Sequence, residues 1–326
     1  MFLHLSFPSR DLCEGRGHLI ALRCCNKYET HSFGAEYEIG FFKKEFSPLP
    51  SSYEDSTDYS GRVSKREGET AVVLVVHELS PLISDAIKKL ESLRDMAYVR
   101  PLIMYDEDRF DPEKLTKHSV PFIPMSRRVE TARFPKIAFN TYSGIYQAPA
   151  KPAQVAWMAN QNIFDFAWFI EGDVYFSGEW FEFVHMHAND RRDLLVPELH
   201  QNENGFPNNW LHWESCDVAT VENHSRAFIP VHRISKKLAT TIFQHLISGG
   251  HGHHECLVPG LCQQTECAMG LIADELLGVV RYRPSLSLKD CRRNDTHGKF
   301  YHPVKTQEQE KRADHISAEL EKGNNF

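Results

Sequence analysis

The clearest hydrophobic pattern in the chain is an unbroken apolar run at residues 71–76, which is typical of a β-strand buried on both faces. Ser80 and Pro81 then form an N-cap and first-turn pair for a helix. Apolar residues follow at helical spacing, at Leu82, Ile83, Ala86, Ile87, Leu90 and Leu93. A second strand is predicted at residues 99–105 and a third near residues 120–124.

The same alternation continues through the middle of the chain. Helical patterns cover roughly residues 135–162, and an apolar strand follows that ends at the acidic triplet Glu171-Gly172-Asp173. A helix opened at residues 177–180 and a strand at residues 193–197 come next. Strands that alternate with helices predict an α/β fold, with a mostly parallel central sheet flanked by helices. Ligands of such sheets bind beyond the carboxyl ends of the strands, where this triplet lies.

Three segments are distinguished along the chain. Residues 1–69 are predicted to form a less ordered N-terminal extension, because the part from Ser47 to Glu69 has a polar, linker-like composition. Residues 70–305 carry the α/β pattern and form the predicted main domain. Residues 306–326 are rich in Glu, Lys and Gln, and predict a solvated, charged helical tail.

Composition excludes some classes of function. A formal net charge of −7 over 326 residues argues against a nucleic-acid-binding protein, which normally carries a basic face. No apolar run approaches the roughly 20 residues of a membrane span, so no transmembrane segment is expected. The N-terminus shows no signal peptide or membrane anchor. As written the chain is expected in the cytoplasm, and the Golgi lumen stays open if the N-terminus is incomplete.

The acidic triplet is the first candidate site. In extended backbone, residues i and i+2 project to the same side, so Glu171 and Asp173 are expected to converge beyond the strand. Gly172 is expected to leave room for a ligand beside the backbone. Two carboxylates on a strand end suit Mn²⁺ or Mg²⁺ that keeps positions open for substrate phosphates. The alternative is an ordinary polar loop.

The second candidate is Glu255, at the end of the glycine- and histidine-rich stretch 249–254. A carboxylate held in partly apolar surroundings has a raised pKa and can accept a proton from an attacking hydroxyl. A flexible surface loop and a histidine-rich metal site are the alternatives. Glu266, expected in a helix that starts near Gln263, is the competing carboxylate.

The eight cysteines contain no C-x-x-C pair, which makes a zinc ribbon improbable. Three of them, at 256, 262 and 267, lie close in sequence to the histidines at 251, 253 and 254. They leave three interpretations open: a metal site, unpaired thiols packed in a core, or one disulfide in an oxidising compartment.

The third candidate is the late segment Phe300–Lys305. A neutral His302 imidazole can complete the coordination of a divalent cation, and the Lys305 ammonium can neutralise a departing diphosphate. The alternative is a histidine that only packs against its aromatic neighbours.

Taken in order, the segments 168–180, 253–259 and 301–305 resemble the acidic motif, the acceptor-side carboxylate loop and the late histidine of GT-A glycosyltransferases. The resemblance covers roughly residues 70–305 and identifies no subfamily. It differs in one respect, because the acidic motif here is Glu-Gly-Asp rather than two aspartates. The first position is therefore expected to contact ribose or water.

The resemblance implies a metal-dependent enzyme that moves a sugar from a nucleoside-diphosphate sugar to a glycan or another hydroxyl acceptor. It assigns Asp173 and His302 to Mn²⁺ or Mg²⁺, and Glu171 and Lys305 to the donor. Glu255 is the implied base if the reaction inverts the anomeric centre. A retaining enzyme would not need a base there.

Two rival functions remain open at this point. A nucleotidyltransferase would carry a glycine-rich, basic loop after the first strand, whereas residues 76–81 read Val-His-Glu-Leu-Ser-Pro. The second rival is a non-catalytic sugar-binding protein on a degenerate transferase fold, which would lack metal-dependent nucleotide binding.

Overall fold

The structure is a computed structural model that describes residues 69–134, 136, 150–201, 216–218, 225–282, 284–293, 297–306 and 309. All of them belong to one compact unit, Lys65–Phe326. Residues 1–68 of the predicted extension and most of the predicted C-terminal tail lie outside the described residues. None of the helices in the described part of the chain combines the length and the apolar character needed to span a bilayer.

Twelve strands are described, and their bounds are β1 Glu69–Val76, β2 Val99–Asp106, β3 Phe122–Met125, β4 Phe164–Glu171, β5 Tyr175–Phe176, β6 Leu194–Val196, β7 Glu198–Gln201, β8 Ser225–Phe228, β9 Val231–Ser235, β10 Met269–Leu271, β11 Leu277–Val280 and β12 Phe300–His302. The α-helices are α1 Pro81–Glu91, α2 Arg127–Arg133, α3 Ala150–Asn160, α4 Trp180–Met186, α5 Lys236–Ile247, α6 His254–Gln264 and α7 Leu288–Arg293. Short 3₁₀ turns occur at Ser92–Asp95, Pro112–Leu115 and Asp274–Leu276.

The central sheet has seven strands in the order β10-β6-β9-β4-β1-β2-β3. Neighbouring strands are parallel except at β9, which runs antiparallel to β4 and to β6. Helices accompany this sheet, so the predicted mixed α/β fold with a mostly parallel central sheet is confirmed.

The first βα unit follows from its sequence pattern. Residues 71–76 of β1 are all buried, as the unbroken apolar run predicts. Ser80 is the N-cap of α1, and its hydroxyl accepts a hydrogen bond from the Ile83 N–H at 3.2 Å. Helix α1 buries Leu82, Ile83, Ile87 and Leu90.

A second, three-stranded sheet brings the end of the chain to the acidic triplet. Its order is β11-β12-β5, and β12 pairs antiparallel with β5. The rings of Phe176 and Phe300 stack there, with centroids 4.3 Å apart. The Val304 N–H donates to the Asp173 carbonyl at 2.8 Å. This sheet therefore fixes His302, the last residue of β12, beside Asp173.

The region around Glu255 differs from the prediction. The apolar residues 257–259, expected to follow a loop, lie inside the buried helix α6. No helix starts near Gln263: α6 ends at Gln264, and Glu266 follows with a positive φ of 52°. Burial of residues 255–262 offsets the helix-breaking character of Pro259 and Gly260. Gly260 also allows close packing, because a Cβ there would lie 2.8 Å from Val218 Cγ2.

The helical pattern expected at residues 135–162 is realised in part. Helix α2 ends before that range and α3 occupies its second half. Residues 137–149 lie outside the described part of the chain.

Candidate metal and donor site

The acidic triplet forms a tight turn at the carboxyl end of β4. The strand ends at Glu171, and the Val174 N–H donates back to the Glu171 carbonyl at 3.0 Å. The Glu171 N–H donates to the Pro230 carbonyl at 2.9 Å, which anchors the start of the turn. The expectation of an extended backbone was therefore wrong. Glu171 and Asp173 converge because the chain reverses between them.

Gly172 serves packing inside the fold. A Cβ at this position would lie 2.9 Å from the Val75 carbonyl oxygen and 3.1 Å from Ile83 Cδ1. The glycine therefore lets β4 approach β1 and α1 closely. The expected space for a ligand beside this glycine is occupied by the protein itself.

Glu171, Asp173 and His302 form one cluster. His302 Nε2 lies 3.4 Å from Asp173 Oδ1 and 3.7 Å from Glu171 Oε2. One ligand atom from each residue lies within 4.8 Å of the other two. His302 Nδ1–H donates to the Arg281 carbonyl at 2.9 Å, so the neutral ring presents Nε2 to the two acids. This donor set suits a divalent cation.

When no cation is bound, His302 carries a proton on Nε2 at neutral pH. Burial disfavours the charged imidazole, but hydrogen bonds to Asp173 and Glu171 raise the pKa of His302 to about 9. Burial also opposes ionisation of Glu171, yet Lys151 and His302 hold the pKa of that carboxyl well below its usual range. Near neutral pH, a metal ion must therefore displace the His302 proton.

Two lysines flank the cluster. Lys305 Nζ lies 3.9 Å from Asp173 Oδ2. Lys151 was missed by sequence analysis: its buried ammonium lies 2.7 Å from Glu171 Oε1 and donates to the Ile229 carbonyl at 2.9 Å. Its signal was a single lysine at the start of the otherwise uncharged segment 150–160.

Glu255 lies at the N-terminus of α6, with the His253 side chain as the N-cap. It is 4% exposed, and the Tyr282 hydroxyl donates to its Oε2. Burial raises the pKa of Glu255 to about 7. The Tyr282 hydrogen bond and the charge of Lys151 oppose this rise, and the charge of Glu171 adds to it. A carboxyl with this pKa can accept a proton at neutral pH.

A chain of ring contacts joins Glu255 to the cluster. The Tyr282 ring lies 4.2 Å from the Phe228 ring, centroid to centroid, and the Phe228 ring lies 5.3 Å from the His302 ring. The structure thus brings all five predicted site residues into one region. Tyr282 was a second residue that sequence analysis missed, because no motif surrounds it.

The competing interpretations of this region are resolved in part. Cys256 pairs with Cys216 and Cys262 pairs with Cys267, so these sulfurs form disulfides rather than a thiolate metal site. Sequence analysis had allowed only one disulfide.

Asp217 is held by His245 of α5 and by the backbone of the histidine-rich stretch. It accepts a hydrogen bond from His245 Nε2 at 2.9 Å and from the His251 N–H at 2.7 Å. The stretch between α5 and α6 is therefore anchored by defined contacts.

A comparison with models of protein families gives no match, and a comparison with curated proteins also gives none. Solved structures do match. Glucosyl-3-phosphoglycerate synthase from Mycobacterium tuberculosis, in complex with Mn²⁺, uridine diphosphate and phosphoglyceric acid, has a TM-score of 0.37 and 12% identity, over 68% of this chain and 73% of its own.

Two further solved structures match with similar TM-scores and identities. The galactosyltransferase LgtC, in complex with donor and acceptor sugar analogs, has a TM-score of 0.38 and 9% identity, over 67% of this chain and 76% of its own. The 4-diphosphocytidyl-2C-methyl-D-erythritol synthase from Anaerococcus prevotii has a TM-score of 0.38 and 7% identity, over 63% of this chain and 88% of its own. The similarity to glycosyltransferases and nucleotidyltransferases concerns the fold alone.

Proposed function

We propose that this protein is a metal-dependent glycosyltransferase that moves a sugar from a nucleoside-diphosphate sugar to an acceptor hydroxyl. The observation that carries the proposal is the cluster of Glu171, Asp173 and His302 at the carboxyl end of β4. Lys305 beside it and Glu255 nearby supply the other groups that such a transfer needs.

The charges of the cluster favour a metal ion that arrives with a diphosphate. The ammonium groups of Lys151 and Lys305 lie against the two carboxylates and offset their charge. Once His302 has lost its proton, the site is close to neutral and attracts an isolated cation weakly. A diphosphate brings the negative charge that a divalent cation and Lys305 can share.

Asp173 and His302 would hold Mn²⁺ or Mg²⁺, which supplies charge stabilisation for the departing diphosphate. Lys305 lies beside Asp173 and would contact the same diphosphate. Glu171 is paired with Lys151, so its role is to orient donor groups such as ribose hydroxyls or bound water.

Glu255 would act as the general base. It would accept the proton of the acceptor hydroxyl while that oxygen attacks the anomeric carbon, and the bond between sugar and diphosphate breaks on the opposite face. This arrangement corresponds to inversion of the anomeric centre. The Tyr282 hydroxyl holds the Glu255 carboxylate in position.

One specific observation weighs against the nucleotidyltransferase rival. Between β1 and α1 the chain contains no glycine, and Ser80 uses its hydroxyl to cap α1. A loop of that kind offers no glycine-rich cradle for a triphosphate. The thermal-shift screen described next, together with a turnover assay, distinguishes the transferase from a non-catalytic sugar-binding protein.

A thermal-shift screen of nucleoside diphosphates and their sugars, with and without Mn²⁺, provides the test. A ligand that binds only the folded state raises the melting temperature. We expect one nucleoside diphosphate to do so only with Mn²⁺, and Asp173→Asn to abolish this shift. Metal-dependent binding without turnover of any donor would favour the non-catalytic sugar-binding protein.

A further inference from the structure

A small cavity lies beside the candidate site and is bordered by α3, β9, α5 and α6. It offers about 30 Å³ to the centre of a water-sized molecule. Its walls are mostly aliphatic, with Ile242 and Leu246 of α5 among them. Two water molecules need about this volume, and so do the carbonyl and methyl groups of an acetyl substituent.

The position of the cavity follows from two of its lining residues. Lys151 lines it and places its ammonium on Glu171, at the metal side of the site. His254 lines it and precedes Glu255, the proposed base. A donor sugar that lies between the diphosphate and Glu255 would therefore border this cavity near its anomeric carbon. The substituent on the neighbouring carbon, C2, is the one that would reach it.

The polar groups of the cavity match an amide. Gln154 is 1% exposed, and its Nε2 has no hydrogen-bond partner in the described part of the chain. Such a buried donor is costly unless a ligand or water accepts from it. His232 donates through Nδ1–H to the Ile229 carbonyl at 3.1 Å, which leaves Nε2 as an acceptor. One donor, one acceptor and aliphatic walls complement a secondary amide that carries a methyl group.

The same walls disfavour a charged substituent. Burial lowers the pKa of His232 and of His254 well below the usual range, so both rings are neutral. Among the described residues that line the cavity, Lys151 alone carries an ammonium group, and it is paired with Glu171. A phosphate or carboxylate would enter without a counter-ion, and a bare hydroxyl would leave the aliphatic wall unfilled.

We propose that this cavity receives the acylamino substituent of the donor, which makes the donor a nucleoside-diphosphate 2-acetamido sugar. The inference rests on the proposed transferase function and names its substrate class. Gln154 donates to the acyl oxygen and the methyl group lies against α5.

The test uses matched pairs of UDP- and GDP-sugars that differ only in a hydroxyl or an acetamido group at C2. Each is titrated into the full chain with Mn²⁺ by calorimetry. In the pair whose nucleotide binds, the acetamido member should bind at least about tenfold more tightly. Equal or tighter binding of the hydroxyl member overturns the cavity assignment alone. Binding of neither member of any pair contradicts the proposed function as well.

Two variants locate the preference in the cavity. Gln154→Met keeps the size but removes the donor, so the acetamido member should lose about tenfold in affinity while the hydroxyl member is unchanged. Its melting temperature should not fall, because an unpartnered donor is removed. Val258→Leu narrows the cavity from α6 and should reduce the same preference. An unchanged preference in both folded variants would overturn the assignment.

Discussion

Replacing Tyr282 by phenylalanine removes the hydroxyl that donates to Glu255 and leaves the ring on Phe228 in place. The hydrogen bond favours the ionised carboxylate, so its loss should raise the pKa of Glu255 above about 7. A hydrogen bond to a charged group contributes about 1.5–3 kcal/mol, and one pKa unit corresponds to about 1.4 kcal/mol. Because Tyr282 is 51% exposed, water replaces part of the interaction. We therefore expect a rise of roughly one unit.

The expected result is a displaced pH profile. A base must be deprotonated, so the rate for the native protein should rise with pH and level off above about 7. In Tyr282→Phe the same rise should occur roughly one unit higher, so activity at pH 7 falls about fivefold and recovers near pH 9. The assay follows nucleoside-diphosphate release at saturating metal, which keeps the His302 proton out of the profile. Glu255→Gln, which cannot accept a proton, should lose about 10²-fold or more at every pH.

A profile that stays in place while activity falls equally at all pH values would contradict the role of Tyr282 in setting the pKa of Glu255. Tyr282 would then position the substrate or the fold rather than the proton acceptor. Near-normal turnover in Glu255→Gln would remove Glu255 from the mechanism and favour a retaining reaction.

Three more outcomes follow from the contacts of the site. Lys151→Met removes the ammonium that offsets the Glu171 charge, so the affinity for Mn²⁺ without nucleotide should rise about tenfold. The rise should exceed that in Lys305→Met, because the Lys305 ammonium lies farther from its carboxylate, 3.9 Å from Asp173. Calorimetry that shows no gain would mean that the Glu171 charge does not act on the ion. The pKa of His302 is raised to about 9, so below that pH a proton competes with the metal ion for His302. The affinity for Mn²⁺ should therefore rise about tenfold per pH unit from pH 7 and level off near pH 9. His302→Gln should flatten this slope. Gly172→Ala places a Cβ 2.9 Å from the Val75 carbonyl, so thermal or urea unfolding should show a loss of roughly 1–3 kcal/mol, and an unchanged stability would disprove the packing role.

Much of the central sheet is readable from local sequence. The buried run of β1 and the Ser80 cap of α1 are encoded by neighbouring residues and appear where the pattern predicts them. The resemblance to GT-A glycosyltransferases assigned Asp173 and His302 to one metal ion, and in the structure His302 Nε2 lies 3.4 Å from Asp173 Oδ1. The convergence of Glu171 with Asp173 was predicted for the wrong reason, because a turn at Gly172 rather than extended backbone brings these two carboxylates together.

Other features depend on contacts between distant segments. The Lys151–Glu171 ion pair joins residues from α3 and β4, and no local pattern predicts it. Helix α6 contains Pro259 and Gly260, which locally argue against a helix, and it is stabilised by burial. The pairing of Cys216 with Cys256 likewise follows only from the folded chain.

The most direct measurement for the metal site is an anomalous difference map at the manganese edge. Crystals would be grown with Mn²⁺ and the nucleoside diphosphate that raises the melting temperature most. We expect one strong peak within bonding distance of Asp173 and His302 Nε2, with the diphosphate between the ion and Lys305. A peak elsewhere, or a diphosphate bound there without any metal peak, would contradict the assignment of this cluster as the metal and donor site.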